Sequence, residues 1–255
     1  DIDGCFWIGT DDGGLARFDG SLWTIFSSDQ SGLYSDVISI AIDNNDTKWI
    51  GSKSNGLARF DDINWTNYQT YNSGISDNYI LSLATDENGI LWIGTYYSGI
   101  MSFDGINWFQ FSNTINKNVN VILVDSNGSK WFGTGSLGYS PGGELSKFDG
   151  FNTTIYNTSN SGLPVNLIFS VIASEDAIWI GTGSGLVSYN GSDWILYYPG
   201  TNPNSISCAV IDDNGVKWCG LKGSGLAKFD ENIWTIYNTS NSGISIISAD
   251  SVELI

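Results

Sequence analysis

The sequence predicts an all-β fold, a single six-bladed β-propeller with four antiparallel strands in each blade. A Trp-x-Gly motif recurs six times, a second Trp follows it in five of the repeats, and successive motifs are 39 to 48 residues apart. Periods of this length, with four short strands each, are typical of propellers. A helical solenoid would need amphipathic helices with a period of about 3.6 residues, and no such pattern occurs.

The repeated tryptophans account for all 11 Trp residues of the chain. The Trp-x-Gly motifs begin at Trp7, Trp49, Trp92, Trp131, Trp179 and Trp218. The second tryptophans are Trp23, Trp65, Trp108, Trp194 and Trp234, and Thr153 stands in the remaining place.

Each repeat is predicted to contain four strands in a constant order. The first is a short apolar run such as residues 38–42, and the second carries Trp-x-Gly. The third begins with Gly-Leu, as at 14–18, and the fourth carries the second Trp, as at 23–26. Asp-x-Asn-Gly and Asp-Gly sequences between the strands supply a side-chain acceptor and a residue that tolerates positive φ, which favours tight turns.

The last residues are predicted to complete the first blade. Residues 251–255 form a lone apolar strand, and the path from Trp218 through the last residue and on to Trp7 is 44 residues, within the spread of the other steps. Pairing of 251–255 with the N-terminal strands would cover open sheet edges. The predicted blades are 251–255 with 1–26, then 37–68, 80–111, 119–156, 167–198 and 206–237.

These motifs resemble the two-component regulator propeller repeat. Residues Asp86 to Thr95, Gly14 to Gly20 and 156–164 match its hairpin, its third strand and its connector. The resemblance implies an extracytoplasmic sensor module that, in many members, recognises oligosaccharides ahead of a kinase.

The charge balance limits the partners. Twenty-seven acidic and 10 basic residues give a net charge of −17. A surface this negative repels phosphate backbones and anionic lipids, so nucleic-acid binding is disfavoured. No apolar run approaches the roughly 20 residues that span a bilayer, so no membrane insertion is predicted. Richness in Asn, Ser, Thr and Gly, with few Lys, favours an extracellular or periplasmic location.

Catalysis is not predicted. The chain contains no His, which excludes the usual Ser-His-Asp and Cys-His arrangements. A sialidase would need three arginines, and only Arg17 and Arg59 are present. Two carboxylates about 5–10 Å apart suffice for a glycosidase, but nearly all acids lie in equivalent turns where capping explains them. A polysaccharide-acting enzyme that uses carboxylates is the remaining alternative.

No cofactor is predicted, although the acidic turns at 43–46 and 11–12 leave calcium open without a specific motif. Cys208 and Cys219 flank the turn at 212–215, and a regular hairpin would place them opposite each other. A cross-strand disulfide and two buried thiols both remain open, because such a disulfide is often strained.

Ligand binding is predicted on the face formed by the loops that lead into the first strand and those between the second and third strands. The candidate residues in these loops are Tyr34, Tyr96, Tyr97, Tyr139, Asp36, Asp77, Lys53 and Lys222. The longest insertion, 135–143, carries Tyr139, and insertions that break a repeat are frequent functional sites. Tyr beside Asp suits a sugar ring, whereas partial burial against a neighbouring blade is the alternative for each Tyr.

The sequence therefore predicts a non-catalytic extracytoplasmic module whose ligand is an oligosaccharide, a protein or another surface molecule. A structural or adhesive cell-surface protein is the alternative, and in that case self-association into filaments is expected.

Overall fold

The computed structural model describes residues 1–11, 14–33, 36–111, 118–135, 142–200 and 204–244, and it confirms the all-β, six-bladed propeller. Within these ranges the first repeat has three strands and each of the other five has four. The predicted closing strand, 251–255, lies outside them. The chain divides into two compact units, Asp1–Gly128 and Ser129–Ile255. The assignment of a single domain stays a prediction.

In the first unit, the strands of each of the first three repeats pair antiparallel in chain order. The first repeat contains β1 (Phe6–Thr10), β2 (Gly14–Phe18) and β3 (Trp23–Phe26), followed by the single helical turn α1 (Ser28–Ser31). The second contains β4 (Val37–Ile42), β5 (Lys48–Ser52), β6 (Leu57–Phe60) and β7 (Trp65–Tyr68). The third contains β8 (Ile80–Thr85), β9 (Leu91–Thr95), β10 (Ile100–Phe103) and β11 (Trp108–Phe111), and β12 (Val119–Val124) begins the fourth.

In the second unit, the fourth repeat continues, and the last two repeats follow with the same antiparallel order. The fourth repeat continues with β13 (Lys130–Thr134), β14 (Leu145–Phe148) and β15 (Thr153–Tyr156). The fifth contains β16 (Ile168–Ala173), β17 (Ile178–Thr182), β18 (Gly185–Tyr189) and β19 (Trp194–Tyr197). The sixth contains β20 (Ile206–Ile211), β21 (Lys217–Leu221), β22 (Gly225–Asp230) and β23 (Ile233–Tyr237).

The turn between the first and second strands explains the six-residue spacing from Asp to Trp. In the third repeat, Asp86 Oδ1 accepts the backbone N–H groups of Asn88 at 3.0 Å and Ile90 at 3.1 Å. Its Oδ2 accepts the indole N–H of Trp92 at 3.1 Å. One carboxylate thus caps the turn and fixes the buried indole, because it offers two oxygens with several lone pairs.

The glycine of Trp-x-Gly allows neighbouring repeats to approach closely. A Cβ placed on Gly51 would lie 2.6 Å from Cγ2 of Ile80, in the first strand of the next repeat. In the second unit, a Cβ on Gly181 would lie 2.8 Å from Cγ2 of Ile206. The strand that follows packs directly over the glycine, so a side chain at this position would push the two sheets apart.

The second tryptophan of a repeat packs on aromatic rings of its own third strand and of the repeat before it. Trp108 stacks on Phe103, with ring centroids 4.3 Å apart, and meets Tyr68 of the preceding repeat edge-on at 5.4 Å. In the second unit Trp194 stacks on Tyr189 at 4.2 Å. These rings continue the core outwards along the sheets, since aromatic side chains bury large areas.

The turn between the third and fourth strands carries a second capping carboxylate. Asp104 Oδ1 accepts the backbone N–H groups of Ile106 at 2.8 Å and Asn107 at 2.6 Å. These hydrogen bonds, with that from Asn107 the largest cause, lower the pKa of Asp104. Asn190 accepts the equivalent two N–H groups in the fifth repeat, so an amide oxygen serves as well as a carboxylate.

Cys208 and Cys219 do not lie opposite each other, as a regular hairpin would have placed them. Cys219 lies opposite Ala209, and Cys208 lies opposite Gly220. The turn explains the one-residue shift, because Asp212 pairs with Val216 while Gly215 takes a left-handed φ of 78°. Both cysteines are thiols, and burial raises the pKa of Cys219 to about 12.

Candidate functional site

A recurring backbone hydrogen bond joins two loops within several repeats. We call the residues before the first strand the lead-in loop, those between the second and third strands the crossing loop, and the two together a loop pair. Lys53 N–H donates to the carbonyl of Asp36 at 3.1 Å, and Tyr96 N–H donates to that of Tyr79 at 3.0 Å. This bond brings together one side chain from each loop at equivalent positions.

The second-repeat loop pair, 36 with 53–56, holds an ion pair. Lys53 Nζ lies 2.9 Å from Asp36 Oδ2, so the structure brings together two of the predicted site residues. The side chain of Lys53 is 53% exposed and that of Asp36 is 14% exposed. The hydrogen bond that Lys53 donates to Asp36 is the main cause of the raised pKa of Lys53, and the charges of Asp36 and Asp11 contribute further. The ammonium group is therefore fully charged and already occupied at neutral pH.

The third-repeat loop pair, 76–79 with 96–99, holds three tyrosines instead. Tyr79 and Tyr96 stack with ring centroids 4.7 Å apart and an angle of 9° between their planes. Tyr97 meets Tyr96 edge-on at 4.6 Å and 80°, and 63% of Tyr97 is exposed. The predicted residues Tyr96 and Tyr97 thus form a corner with one accessible ring.

Asp77 holds this corner in place. Its Oδ1 accepts the N–H of Tyr79 at 3.0 Å, and its Oδ2 accepts the N–H of Tyr97 at 2.7 Å. We predicted Asp77 as a ligand-binding residue, and the geometry makes it a positioning residue that joins the two loops. A carboxylate that accepts hydrogen bonds from backbone N–H groups makes strong, short bonds of this kind.

Further hydrogen bonds hold the crossing loop around Tyr97. Ser98 Oγ donates to the carbonyl of Ser76 at 3.2 Å, and Ser98 N–H donates to Thr95 Oγ1 at 3.0 Å. Gln110 Nε2 donates to the carbonyl of Ser98 at 2.6 Å. An exposed aromatic ring on a loop with this many internal bonds is pre-organised, which lowers the entropy cost of binding.

The two loop pairs are neighbours in the first unit. Gly56 N–H, in the crossing loop of the second repeat, donates to the carbonyl of Asn78, in the lead-in loop of the third repeat, at 2.9 Å. The charge of Asp11, which follows β1 at the position equivalent to Lys53, contributes to the raised pKa of Lys53. Asp11, the Asp36–Lys53 ion pair and the tyrosine corner therefore belong to one surface, which we call the loop-pair site. Sequence reasoning missed Tyr79, although it directly precedes β8 as Asp36 directly precedes β4.

The remaining predicted site residues lie in the second unit or outside the described residues. Lys222, in the second unit, is exposed, and its N–H donates to the carbonyl of Ser205 at 3.0 Å, so it belongs to that repeat's own loop pair. Tyr34 and Tyr139 lie outside the described residues, as does most of the insertion around Tyr139.

The acidic turn at 43–46 has its carboxylates engaged. Asp43 accepts the N–H groups of Asn45 and Thr47 and the indole N–H of Trp49, and Asp46 pairs with Lys48 at 2.8 Å. Across the described part of the chain, no group of three or more His, Cys, Asp or Glu is arranged to hold a metal. The same ranges contain no helix with the length and hydropathy that crossing a bilayer requires.

Comparison with known families supports the resemblance inferred from the repeats. Residues 74–97 match the sequence model of the family described as two component regulator propeller, so the third repeat, which carries the tyrosine corner, is a repeat of this type. No curated protein sequence matches the chain.

Three solved structures illustrate the similarity in fold. PorZ from Porphyromonas gingivalis, described as an essential surface component of the type-IX secretion system, has a TM-score of 0.82 at 20% identity, covering 97% of this chain and 42% of that chain. The extracellular domain of the hybrid two-component system BT3049 from B. thetaiotaomicron has a TM-score of 0.77 at 22% identity, covering 91% and 33%. Virginiamycin B lyase from Staphylococcus aureus has a TM-score of 0.70 at 13% identity, covering 88% and 76%.

This chain therefore spans about two fifths of the PorZ chain and one third of the BT3049 chain. At these identities the similarity establishes the fold alone, and one similar fold belongs to an enzyme. The chemistry of the loop-pair site must be argued from its own residues.

Proposed function

We propose that this chain, which carries a two-component regulator propeller repeat, is a non-catalytic extracytoplasmic module that binds a carbohydrate at the loop-pair site. The single observation that carries the proposal is Tyr97, an exposed ring on a loop held by hydrogen bonds from both sides. Exposed, rigid tyrosines give large contact areas at a low entropy cost, and they dominate binding at many interfaces.

The site also contains the polar groups that a sugar requires. Sugar rings have an apolar face and a rim of hydroxyl groups, which match an aromatic ring next to hydrogen-bonding groups. The Asp36–Lys53 ion pair offers an acceptor and a donor 2.9 Å apart, within the same unit as Tyr97. Similar folds in an extracellular sensor domain and a surface secretion component support the proposed location.

The carboxylates of the site are engaged by an ion pair and by hydrogen bonds, which favours binding without catalysis. A glycosidase needs one carboxyl as proton donor and a second as base or nucleophile, about 5–10 Å apart. Here Asp36 is engaged by an ammonium group and Asp77 by two backbone N–H groups. The chain has no His that could replace either carboxyl as the acid or base.

The structural or adhesive alternative draws support from a different surface. Ile63 and Ile106, at the turns between the third and fourth strands, are 83% and 84% exposed. Contiguous apolar residues on a surface can mark protein contacts. Light scattering that shows a strict monomer at high concentration would remove this alternative.

The substitution Tyr97→Ala tests the proposal. A glycan array first identifies the oligosaccharide bound by the wild type, and calorimetry then measures its Kd. We expect Tyr97→Ala to weaken binding by about tenfold or more, the loss typical of a central aromatic residue.

The matched control is Tyr71→Ala, which removes another exposed tyrosine of the same unit and should leave Kd unchanged. An array without any hit, or equal losses in the two variants, would overturn the proposal.

A further inference from the structure

We infer that Asp36 is a specificity-determining residue, which makes the loop-pair site select uncharged sugars over acidic ones. This inference rests on the proposed carbohydrate function and concerns the class of ligand. It follows from the balance of charges around Lys53.

Lys53 carries the ammonium group to which an acidic ligand would be expected to bind. Among the described residues of the lead-in and crossing loops of the first unit, it is the only basic side chain. Half of it is exposed, so solvent and ligands reach it. A carboxylate or sulfate on a ligand would therefore be expected to bind here if the ammonium group were available.

Asp36 balances the charge that would attract an anion. Its Oδ2 lies 2.9 Å from Lys53 Nζ, and the backbone bond from Lys53 N–H to the Asp36 carbonyl holds the two residues together. Asp36 itself is largely buried, so it cannot turn away into solvent without moving the loop pair. An acidic ligand would therefore meet an ammonium group whose charge is already neutralised by an internal carboxylate.

The surroundings add to the repulsion. Asp11 lies close enough to Lys53 to influence its pKa, and Asp77 lies in the lead-in loop of the next repeat. The site therefore contains three carboxylates and one ammonium group. Like charges brought together at an interface repel each other, so the carboxylates around Lys53 disfavour an anion beyond the effect of Asp36 alone.

A neutral hydroxyl group meets none of these obstacles. It can accept from a second N–H of the ammonium group while the ion pair stays intact, because an ammonium group has three donors. The tyrosine corner accepts an uncharged ring without desolvating a charge. The site is thus suited to neutral hexose or pentose oligosaccharides.

The wild-type protein is tested first, against two sets of immobilised and soluble probes. The neutral set contains β-glucan, galactan, mannan, arabinan and fructan oligosaccharides, and the acidic set contains oligogalacturonate, alginate and hyaluronate oligosaccharides. We expect binding within the neutral set only. Binding to the acidic set alone would overturn the inference and leave the proposed carbohydrate function standing, whereas binding to neither set would overturn both.

The variant Asp36→Asn then tests whether Asp36 is the reason that the site selects neutral sugars. The amide keeps the shape of the side chain but releases the ammonium group, so we expect affinity for acidic oligosaccharides to rise by about tenfold or more and to fall again with added salt. Affinity for the neutral ligand should fall by about threefold to tenfold, because an amide oxygen is a weaker acceptor than a carboxylate oxygen, so the ratio of acidic to neutral affinity is the quantity that tests the inference. The double variant Asp36→Asn/Lys53→Gln should lose the gain.

The matched control is Asp104→Asn, which changes the net charge equally at an outer turn of the same unit. Asn190 already fills the equivalent turn position of the fifth repeat, so this control is expected to fold. Circular dichroism confirms the folding of each variant. An equal gain in acidic binding for Asp104→Asn, or no gain for Asp36→Asn, would overturn the inference.

Discussion

The second and third repeats use one backbone arrangement to present different chemistry. In both, an N–H of the crossing loop donates to a carbonyl of the lead-in loop, at 3.1 Å in the second repeat and 3.0 Å in the third. The second repeat places Asp36 and Lys53 on this frame, and the third places Tyr79 and Tyr96. The same positions therefore hold an ion pair in one blade and an aromatic stack in the next.

This difference shows how a repeat protein acquires a site. The sheets supply the distances, because the strand ends and the backbone bond are repeated, and the loop side chains are free to vary. Two neighbouring blades then combine a charged pair with an apolar corner, which neither blade could present alone.

The largest effect is expected from a substitution that disrupts the packing between the two sheets that carry the loop pairs. Gly51→Val places a Cβ 2.6 Å from Cγ2 of Ile80, at the contact between the second and third repeats. We expect the free energy of unfolding to fall by about 3 kcal/mol, the upper end for overpacking, and ligand binding to be lost with it. Chemical denaturation measures the change.

Gly243→Ala is the control for this substitution, because a Cβ there meets nothing within 4 Å. Its free energy of unfolding should stay within about 0.5 kcal/mol of the wild type, as expected for a surface position. A loss below about 1 kcal/mol in Gly51→Val would show that the close approach of the two repeats does not control stability.

The next largest effect is expected from Asp77→Ala, which should weaken the third-repeat loop pair and leave the second-repeat loop pair unchanged. Asp77→Ala leaves the N–H groups of Tyr79 and Tyr97 to water, which costs about 1 kcal/mol of local stability, the net value of an ordinary hydrogen bond. We expect faster hydrogen exchange at the Tyr97 amide and weaker ligand binding, while exchange at the Lys53 amide is unchanged. Asp77→Asn, which keeps one acceptor oxygen, should fall between. Equal acceleration at Lys53 would contradict the independence of the two pairs.

The smallest effect concerns the ion pair alone. The hydrogen bond to Asp36 raises the pKa of Lys53 above its ordinary value of 10.5. Because the folded pKa is the higher one, the contribution of the pair to stability is complete below pH 10.5 and is lost as the pH rises through the raised pKa.

Asp36→Asn should return the pKa of Lys53 towards 10.5, as measured by NMR titration of the Lys53 side chain. We expect little change in Tm at neutral pH, because the Lys53 side chain is half exposed and water can solvate its charge. The stacked pair of Tyr79 and Tyr96 should be unaffected. A Lys53 titration identical to that of the wild type would show that Asp36 does not control it.

The sequence predicted the turns and strands of the repeat, and it predicted several residues of the loop-pair site. The six-residue spacing from Asp to Trp was informative, because the carboxylate makes the same three bonds at Asp43, Asp86 and Asp212. The sequence placed Lys53, Asp36, Tyr96 and Tyr97 in these loops, and their role in binding stays a prediction. The same holds for Asp77, although no pattern shows that its oxygens accept two backbone N–H groups.

Two features escaped the sequence for physical reasons. Tyr79 adjoins a buried strand, and only the stack with Tyr96 distinguishes it from a core residue. The cysteine register depended on whether the turn at 212–216 holds four or five residues. Gly215 adopts a left-handed conformation that adds one residue to the turn and moves Cys219 opposite Ala209.

The amino-acid sequence by itself determined the repeat, its four strands and the positions of its turns, because these depend on local periodicity and on side chains that bond to nearby backbone. The tertiary structure decided which side chains of different loops meet. Asp36 reaches Lys53, and Tyr79 reaches Tyr96, because β4 pairs with β5 and β8 pairs with β9 in a register that brings the open ends of each hairpin together. That register shifts near the start of the first strand of each pair, and local periodicity does not contain the shift.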